Sequence, residues 1–513
     1  MCGIVAQYGR MDLEVAQRML ERLAHRGPDD KGCTQVGDHW LGQQRLAIVD
    51  VEGGRQPLVA RGETGFFYLV GNGEIYNHED LKESLSDKRL RTESDNEVAL
   101  RLIVERGPEA LSECLGMYAF LVAGEDGSFI AARDPVGIKP LYWARSNDGQ
   151  VCFASELHAF DYQQQANVEV FPPGCYWTPE TGIVRFRHAV PRDKEKLQRF
   201  DGPSEPGAPI PEEMLELVRE RLKETVERQM MGDVPVGVFL SGGVDSNIIA
   251  AIAAPYALER GYTLKTFAVG LEDSPDLKAA RAVAEYLETE HHEKVYTEEE
   301  ALEVLPEVVR VIESFDPSLV RSAVPNYILA EFASRYVKVV LTGEGADEIF
   351  AGYEYLRDFE TQEELHNELI REIEGLHNLN LQRTDRVTMA HGLEARVPFL
   401  ELDMIELGLS LPAGWKLAGE NQQEKRLLRW AFDGRLPEDF LWREKQQFGD
   451  GSGATSVLSE RMAETVTEEE FERERTAVEP LLRNREEVAY FRIFTEQLKG
   501  IRPRQTLSRF ATV

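Results

Sequence analysis

Val236-Gly237-Val238-Phe239-Leu240-Ser241-Gly242-Gly243-Val244-Asp245-Ser246 places a short apolar run directly before a glycine pair, and the helical run Asn247 to Ala254 follows it. Glycines at a strand-to-helix turn let backbone N–H groups close on an anion, and the helix N-terminus adds positive potential. The stretch reads as a phosphate cradle at the end of a strand. It lacks the lysine and spacing of a Walker A loop, and a Gly-rich turn capped by Ser or Asp is its blander alternative. Working outward, Thr266-Phe267-Ala268-Val269 and Val337-Lys338-Val339-Val340-Leu341 are further short apolar runs between helical patterns. That alternation predicts a parallel sheet with covering helices from Glu212 onward. The last run leads into Thr342-Gly343-Glu344-Gly345-Ala346-Asp347-Glu348, which puts carboxylates at the sheet edge where open α/β folds bind ligands. A solvated acidic loop is the alternative there. From Glu364 onward the pattern is mostly helical.

Toward the N-terminus the character changes. From Gly3 to about Val190, β-rich runs such as Phe66-Phe67-Tyr68-Leu69-Val70, Tyr118-Ala119-Phe120-Leu121-Val122 and Val151-Cys152-Phe153-Ala154 alternate with a few helical stretches, which predicts an α+β unit. Between Pro191 and Pro211 the composition shifts to charged residues with Pro and Gly, including Gly202-Pro203-Ser204-Glu205-Pro206-Gly207, and a linker is expected. The chain begins Met1-Cys2-Gly3-Ile4-Val5-Ala6. Removal of the initiator Met would leave a cysteine whose α-amine lies beside its own thiol. With a pKa of about 8, that amine can accept the thiol proton, as in other nucleophiles paired with an N-terminal amine.

The 513 residues exceed what one core organises, so two or three domains are expected. No apolar run is long enough to span a membrane, and no basic-then-apolar leader opens the chain; a cytoplasmic protein is expected. Five cysteines without framework or CxxC spacing fit a reducing compartment, with Cys33, Cys114, Cys152 and Cys175 read as small buried hydrophobes. The net charge of -32, from 58 basic against 90 acidic residues, disfavours nucleic acid and anionic membranes as partners. Such acidity suits a high-salt cytoplasm, and equally a moderately acidic mesophilic enzyme.

Four N-terminal segments, placed in loops, carry unusual chemistry: His25-Arg26-Gly27-Pro28-Asp29, Gln44-Arg45-Leu46-Ala47-Ile48-Val49-Asp50, Asn72-Gly73-Glu74-Ile75-Tyr76-Asn77 and Ser94-Asp95. Behind Cys2 and in this order, they resemble the class II glutamine amidotransferases, which are N-terminal nucleophile hydrolases. The resemblance implies an αββα sandwich. It implies that Cys2 attacks the glutamine carboxamide, that the Asn72 amide and the Gly73 N–H form the oxyanion hole, that Arg45 holds the substrate carboxylate, and that Glu74 and Asp95 hold its ammonium. Taken singly, Asn72-Gly73 is also a favoured hairpin pair, Asp95 a helix cap and Arg45 a surface ion-pair partner.

Leu240-Ser241-Gly242-Gly243-Val244-Asp245-Ser246 in turn resembles the pyrophosphate loop of enzymes that cleave ATP between the α and β phosphates. With Ser274-Pro275-Asp276-Leu277-Lys278, Glu394-Ala395-Arg396-Val397-Pro398-Phe399-Leu400 and Lys445-Gln446-Gln447-Phe448, nearly the whole chain is similar to the glutamine-hydrolysing asparagine synthetases. This implies an amidotransferase domain over 2–190, a linker over 191–211 and an α/β ATP-pyrophosphatase domain with a helical C-terminal part over 212–513. ATP would be held by Leu240, Ser241, Gly242, Gly243, Asp245, Ser246, Val269 and Gly343, with Mg²⁺ on Asp245 and Asp347, because that ion favours carboxylates combined with phosphate oxygens. Glu344 would act as base toward ammonia, and Lys445 would neutralise charge on the α-phosphate. The implied partners are glutamine, aspartate and ATP, with a homodimer as a further expectation. Three departures stand out: Leu319-Val320-Arg321-Ser322-Ala323-Val324-Pro325 lies where hydroxyl-rich residues are frequent, Thr342 replaces a common Ser, and Glu401 a common Asp. Thr342 keeps the hydroxyl and Glu401 the charge, so ATP use is expected to survive, whereas the segment containing Arg321 is expected to help hold the acceptor carboxylate, and its departure bears on acceptor identity. An amidotransferase of the same architecture acting on another carboxylate, in a peptide, sugar or antibiotic precursor, is the alternative reading.

Overall fold

The computed structural model describes all residues except 1, 10, 147–148, 194–196, 198–199, 360, 421, 444–454 and 511–513. Two six-stranded sheets form the N-terminal part. One runs Val168–Val170, Tyr142–Arg145, Val151–Ala154, Cys2–Tyr8, His39–Arg45, Asp30–Val36; the other runs Gly182–Arg185, Cys175–Thr178, Phe129–Arg133, Gly116–Gly124, Phe66–Ile75, Leu58–Arg61. The pairings within both are antiparallel.

Period-two alternation decides how these sheets stack. Ile4 and Ala6 face the same cluster as Val70, Leu121, Phe129 and Phe153, drawn from both sheets, whereas Val5 faces the opposite way. Helix Leu13–Arg22 starts at Asp12, whose Oδ1 accepts the Val15 N–H at 3.1 Å, and it lays Ala16, Met19 and Leu20 against the outer layer with Val5. Helix Asp95–Arg106 covers the other side, where Val98 and Leu102 meet Leu69 and Phe120. The result is the αββα sandwich. Each fully buried Leu or Phe in it stabilises by about 1.5–3 kcal/mol over its exposed state.

A five-stranded parallel sheet follows, in the order Glu290–Val295, Lys265–Gly270, Val236–Phe239, Val339–Leu341, Glu394–Arg396. The chain winds one way from Val236–Phe239 and then returns to its other side, so the loops after Phe239 and after Leu341 flank the point where strand order reverses. Ligands of open α/β sheets lie in that crevice. The apolar runs predicted as strands are strands. The edge strands Glu290–Val295 and Glu394–Arg396 escape the apolar pattern because they are rich in charged residues, and the second interrupts a region that otherwise reads as helical. The 200–210 stretch contains no helix or strand and packs on the C-terminal helices: Gly414 N donates to Pro203 O at 3.0 Å and Gly207 N to Leu417 O at 3.1 Å.

One core expectation fails. Cys114, Cys152 and Cys175 are buried, but Cys33 is exposed, because it lies on the edge strand Asp30–Val36, whose outward side has no covering layer. Among the described residues no helix is long and apolar enough to cross a membrane.

Candidate active sites

Cys2 opens the strand Cys2–Tyr8 and pairs in register with Arg45, the last residue of His39–Arg45. Its α-nitrogen donates to Asn72 Oδ1 at 2.9 Å. The other end of that amide, Asn72 Nδ2, is a buried donor with no acceptor. An unpaired buried donor costs about 1–3 kcal/mol, and it is the arrangement an oxyanion would complete. Burial pushes the Cys2 thiol above its ordinary pKa, against the pull of a Leu46 backbone hydrogen bond and the Arg45 charge.

Asn72 and Gly73 do not form a hairpin turn. They lie inside the strand Phe66–Ile75, opposite Ala119 and Tyr118. Gly73 has φ +144°, and a Cβ there would fall 1.9 Å from Met117 O, so only glycine fits. Asp95 is likewise not a cap: it begins helix Asp95–Arg106, yet its Oδ2 accepts the Ile75 N–H at 2.6 Å and its Oδ1 accepts Asn96 Nδ2 at 3.0 Å. Arg45 makes no ion pair with any described carboxylate. Its guanidinium is braced by the carbonyls of Val51, Val49 and Asp50 at 3.2, 3.2 and 2.7 Å, which leaves a buried cation suited to a carboxylate from outside. Glu74 is buried with Oε2 unpartnered. Burial, then Asp95 and Glu394, raise its pKa well above the ordinary carboxylate value, and burial raises that of Asp95 too. A cation binding between these carboxylates would restore their charge. The predicted loop placement thus holds for His25–Asp29 only in part and fails for Asn72–Ile75, since sheet pairing supplies the rigidity the site needs.

At the second site, Leu240 extends the central strand by donating to Phe267 O at 2.8 Å, and helix Val244–Glu259 starts after Gly243. Gly242 has φ +73°, and a Cβ there would meet Ala279 Cβ at 2.5 Å. Ser246 Oγ ties the turn by accepting from Ser241 N at 3.2 Å and donating to Gly243 O at 3.1 Å. Gly343 packs onto Asp245, since its Cβ would lie 2.9 Å from Asp245 Cβ. Val269 is buried in the neighbouring strand Lys265–Gly270. Asp245 Oδ2 and Asp347 Oδ1 converge on one cation, the Nζ of Lys425, at 2.6 and 2.9 Å. Burial acts to lower the Lys425 pKa, but the two carboxylates override it and hold the ammonium above its ordinary value. Gly352 makes room for the pair, because a Cβ there would lie 2.0 Å from Asp347 Oδ1 and 2.3 Å from Lys425 Cε. Glu344 pairs with Arg383, whose Nη1 also donates to Ser322 Oγ at 3.0 Å. Glu348 is buried beside Asp347, and burial followed by the Asp347 charge raises its pKa to about 8.

Residues 217–360 and 356–490 match the asparagine synthase family, and residues 1–179 match the glutamine amidotransferase domain. The chain belongs to the asparagine synthase family. It is 40% identical over 472 residues to the glutamine-hydrolysing asparagine synthetase 2 of Oryza sativa subsp. japonica, covering 88% of this chain and 78% of that one. It is 40% identical over 472 residues to synthetase 3 of Arabidopsis thaliana, covering 88% and 79%, and 39% identical over 489 residues to the enzyme of Asparagus officinalis, covering 91% and 80%.

Of the residues that sequence reasoning named, the structure groups Cys2, Arg45, Asn72, Gly73 and Glu74 on one pair of facing sheets with Asp95 reaching them from the start of its helix, and Leu240 to Ser246, Val269, Gly343, Glu344 and Asp347 about the parallel sheet. Lys445 lies outside the described residues. Arg321, considered for the acceptor carboxylate, is engaged instead with Glu486 at 3.2 Å and Pro317 O at 3.2 Å. Lys425 and Arg383 were missed. Both stand in charged stretches that look like solvated surface, and only their long-range partners reveal them.

Proposed function

We propose that this asparagine synthase family member amidates L-aspartate to L-asparagine with ammonia from L-glutamine, through β-aspartyl-AMP, releasing AMP, pyrophosphate and glutamate. It is a carbon–nitrogen ligase with ATP as a substrate. The observation that carries the reading is the unpaired Asn72 Nδ2 beside Cys2, a prepared oxyanion donor, in the same chain as a glycine-bounded phosphate cradle. Residues 2–190 serve glutamine hydrolysis, 191–211 connect, and 212–513 serve ATP-dependent synthesis.

In the first half-reaction Arg45 grips the glutamine carboxylate, and Glu74 with Asp95 takes the ammonium. The Cys2 thiol gives its proton to the α-amine as sulfur attacks the carboxamide carbon. Asn72 Nδ2 and the Gly73 N–H receive the developing oxyanion. The α-ammonium then returns its proton to the amide nitrogen, so collapse of the tetrahedral species expels ammonia and leaves a thioester, which water hydrolyses to glutamate.

In the second, the turn 241–246 holds the phosphates through backbone N–H groups and the start of helix Val244–Glu259. The aspartate β-carboxylate attacks the α-phosphorus and pyrophosphate leaves. Arg383 is placed to hold an acceptor carboxylate, and Glu344 to take a proton from ammonia as it attacks the mixed anhydride. Lys425 offers its ammonium to the leaving pyrophosphate. Asp245 and Asp347 fit a Mg²⁺ ion, since both carboxylates already reach one cation position. When bound, that ion would offset phosphate charge. Ammonia must arrive unprotonated, because ammonium has no lone pair, so transfer along a dry route between the sites is part of the proposal. The compartment proposed is the cytoplasm, where Cys2 stays reduced.

The test is a one-pot reaction of L-aspartate, MgATP and L-glutamine. Asparagine and pyrophosphate should form in equal amounts. Glutamate release without asparagine would overturn the choice of acceptor.

A further inference from the structure

Residues 380–396 touch both sites. Helix Asn380–Met389 carries Arg383 and Asp385. Two residues along a helix are about 200° apart around its axis, so these side chains leave on nearly opposite faces. Arg383 goes to Glu344 and Ser322. Asp385 goes to the N-terminal half, where its two oxygens accept from Arg26 Nη1 and Nη2 at 2.8 and 3.1 Å. Arg26 is fully buried, and its remaining Nε donates to the carbonyl oxygen of Cys2 at 3.0 Å. One guanidinium therefore joins the backbone of the nucleophile to a helix of the C-terminal half.

Strand Glu394–Arg396 repeats the pattern. The Arg396 carbonyl accepts from Thr342 N at 2.9 Å, immediately before Gly343 and Glu344. Its side chain turns the other way: Nη1 donates to the carbonyls of Gln229 and Met231 at 2.6 Å each, and Nη2 lies 3.9 Å from Glu74 Oε1. Arg396 Nη2 and Glu74 Oε2 are both buried without a hydrogen-bond partner. The Glu74 carboxyl is thus only partly engaged by Arg396.

We propose that residues 380–396 form one coupling element, in which the Asp385–Arg26 fork positions Cys2 according to what Arg383 and Glu344 hold. The inference rests on the two-site reading above. An acceptor carboxylate binding at Arg383 competes with Glu344, and this is the differential contact that a ligand needs to bias a conformation. A shift of the helix that follows moves Asp385, and with it Arg26 and the Cys2 carbonyl. Linkage makes the effect reciprocal for binding: glutamine at Arg45 and Glu74 raises acceptor affinity by the factor with which the acceptor raises glutamine affinity. Asp385 and Arg26 are positioning residues, since neither touches a reacting atom.

The experiment measures glutamate release with and without saturating L-aspartate and MgATP, together with asparagine formed from ammonium chloride. In the wild type, aspartate and MgATP should stimulate kcat/KM for glutamine by about 5-fold or more, the lower end of ordinary coupling. Asp385→Asn keeps the shape but loses the charged fork. Arg26→Lys keeps the charge but cannot reach Asp385 and Cys2 O together. Both should bring the stimulation close to 1-fold while ammonia-dependent synthesis stays within about 2-fold of wild type. A merely structural role would depress both activities together. Wild-type glutamate release that ignores aspartate and MgATP would overturn the coupling element without needing any variant, as would wild-type stimulation persisting in either one. Asparagine formed from ammonium chloride by the wild type reports separately on the assigned reaction.

Discussion

Asn72→Ala separates catalysis from stability at the glutamine site. In the resting protein the side chain accepts one hydrogen bond, from the Cys2 nitrogen at 2.9 Å, and carries one buried donor without a partner. Truncation loses the first, worth about 1 kcal/mol, and relieves the second, worth about 1–3 kcal/mol. Against that stands a small cavity of about 1 kcal/mol. The changes offset, so thermal stability should move by no more than about 1 kcal/mol. In the transition state the account differs, because Nδ2 then meets an oxyanion in a water-excluded site. Loss of one such donor removes about 3–4 kcal/mol of stabilisation and lowers kcat by about 10²–10³. The assay is glutamate release at saturating and limiting glutamine, with calorimetry on the same samples and ammonia-dependent asparagine formation as control. Expected are a collapsed kcat, a KM within a few-fold of wild type, an unchanged melting temperature and an intact control. A kcat reduced less than about 10-fold would refute the oxyanion role, and parallel loss of the ammonia-dependent reaction would show general disruption instead.

Cys2→Ala should abolish glutamine-dependent synthesis and spare the ammonia-dependent reaction; loss of both in a folded variant would contradict the two-site reading. Lys425→Met removes the ammonium on which Asp245 and Asp347 converge, and breaking a buried pair costs about 3–5 kcal/mol, so aspartate-dependent ATP–pyrophosphate exchange should fall by about 10² or more while glutamate release persists. Exchange at the wild-type rate would rule that role out. His158 gives a pH signature: burial opposes its imidazolium, but the hydrogen bond to Glu313 at 2.9 Å and the Glu156 charge prevail and raise its pKa to about 9. Its contribution is full below the ordinary histidine pKa of about 6.5 and is lost as pH rises from there through about 9, on the order of 3 kcal/mol in all. Melting temperature should therefore decline over that window more steeply in the wild type than in His158→Gln, and equal slopes would exclude the effect.

Much of the site was legible in the chain because its chemistry is local. A glycine pair between an apolar run and a helical run means a strand-to-helix turn wherever it occurs. A cysteine beside the α-amine needs no distant partner to be a candidate nucleophile. The runs 66–70, 118–122 and 151–154 of the sandwich and the inner strands of the parallel sheet announce themselves as short apolar runs, whereas the two-sheet arrangement followed from the family resemblance. Where that cue fails, in Glu290–Val295 and Glu394–Arg396, the strands are charged and form sheet edges, so only pairing identifies them.

The sequence by itself determined the family's two chemistries, the order of the units that carry them, and the candidate residues that short-range pattern singles out. Tertiary structure alone decided the cations. Lys425 meets Asp245 across a separation of 180 residues, Arg383 meets Glu344 across 39, and Arg26 meets Asp385 across 359. In one dimension each is an unremarkable charge in a strongly acidic chain. A buried charge acquires meaning only from the partner that makes its desolvation tolerable, and that partner is chosen by the fold.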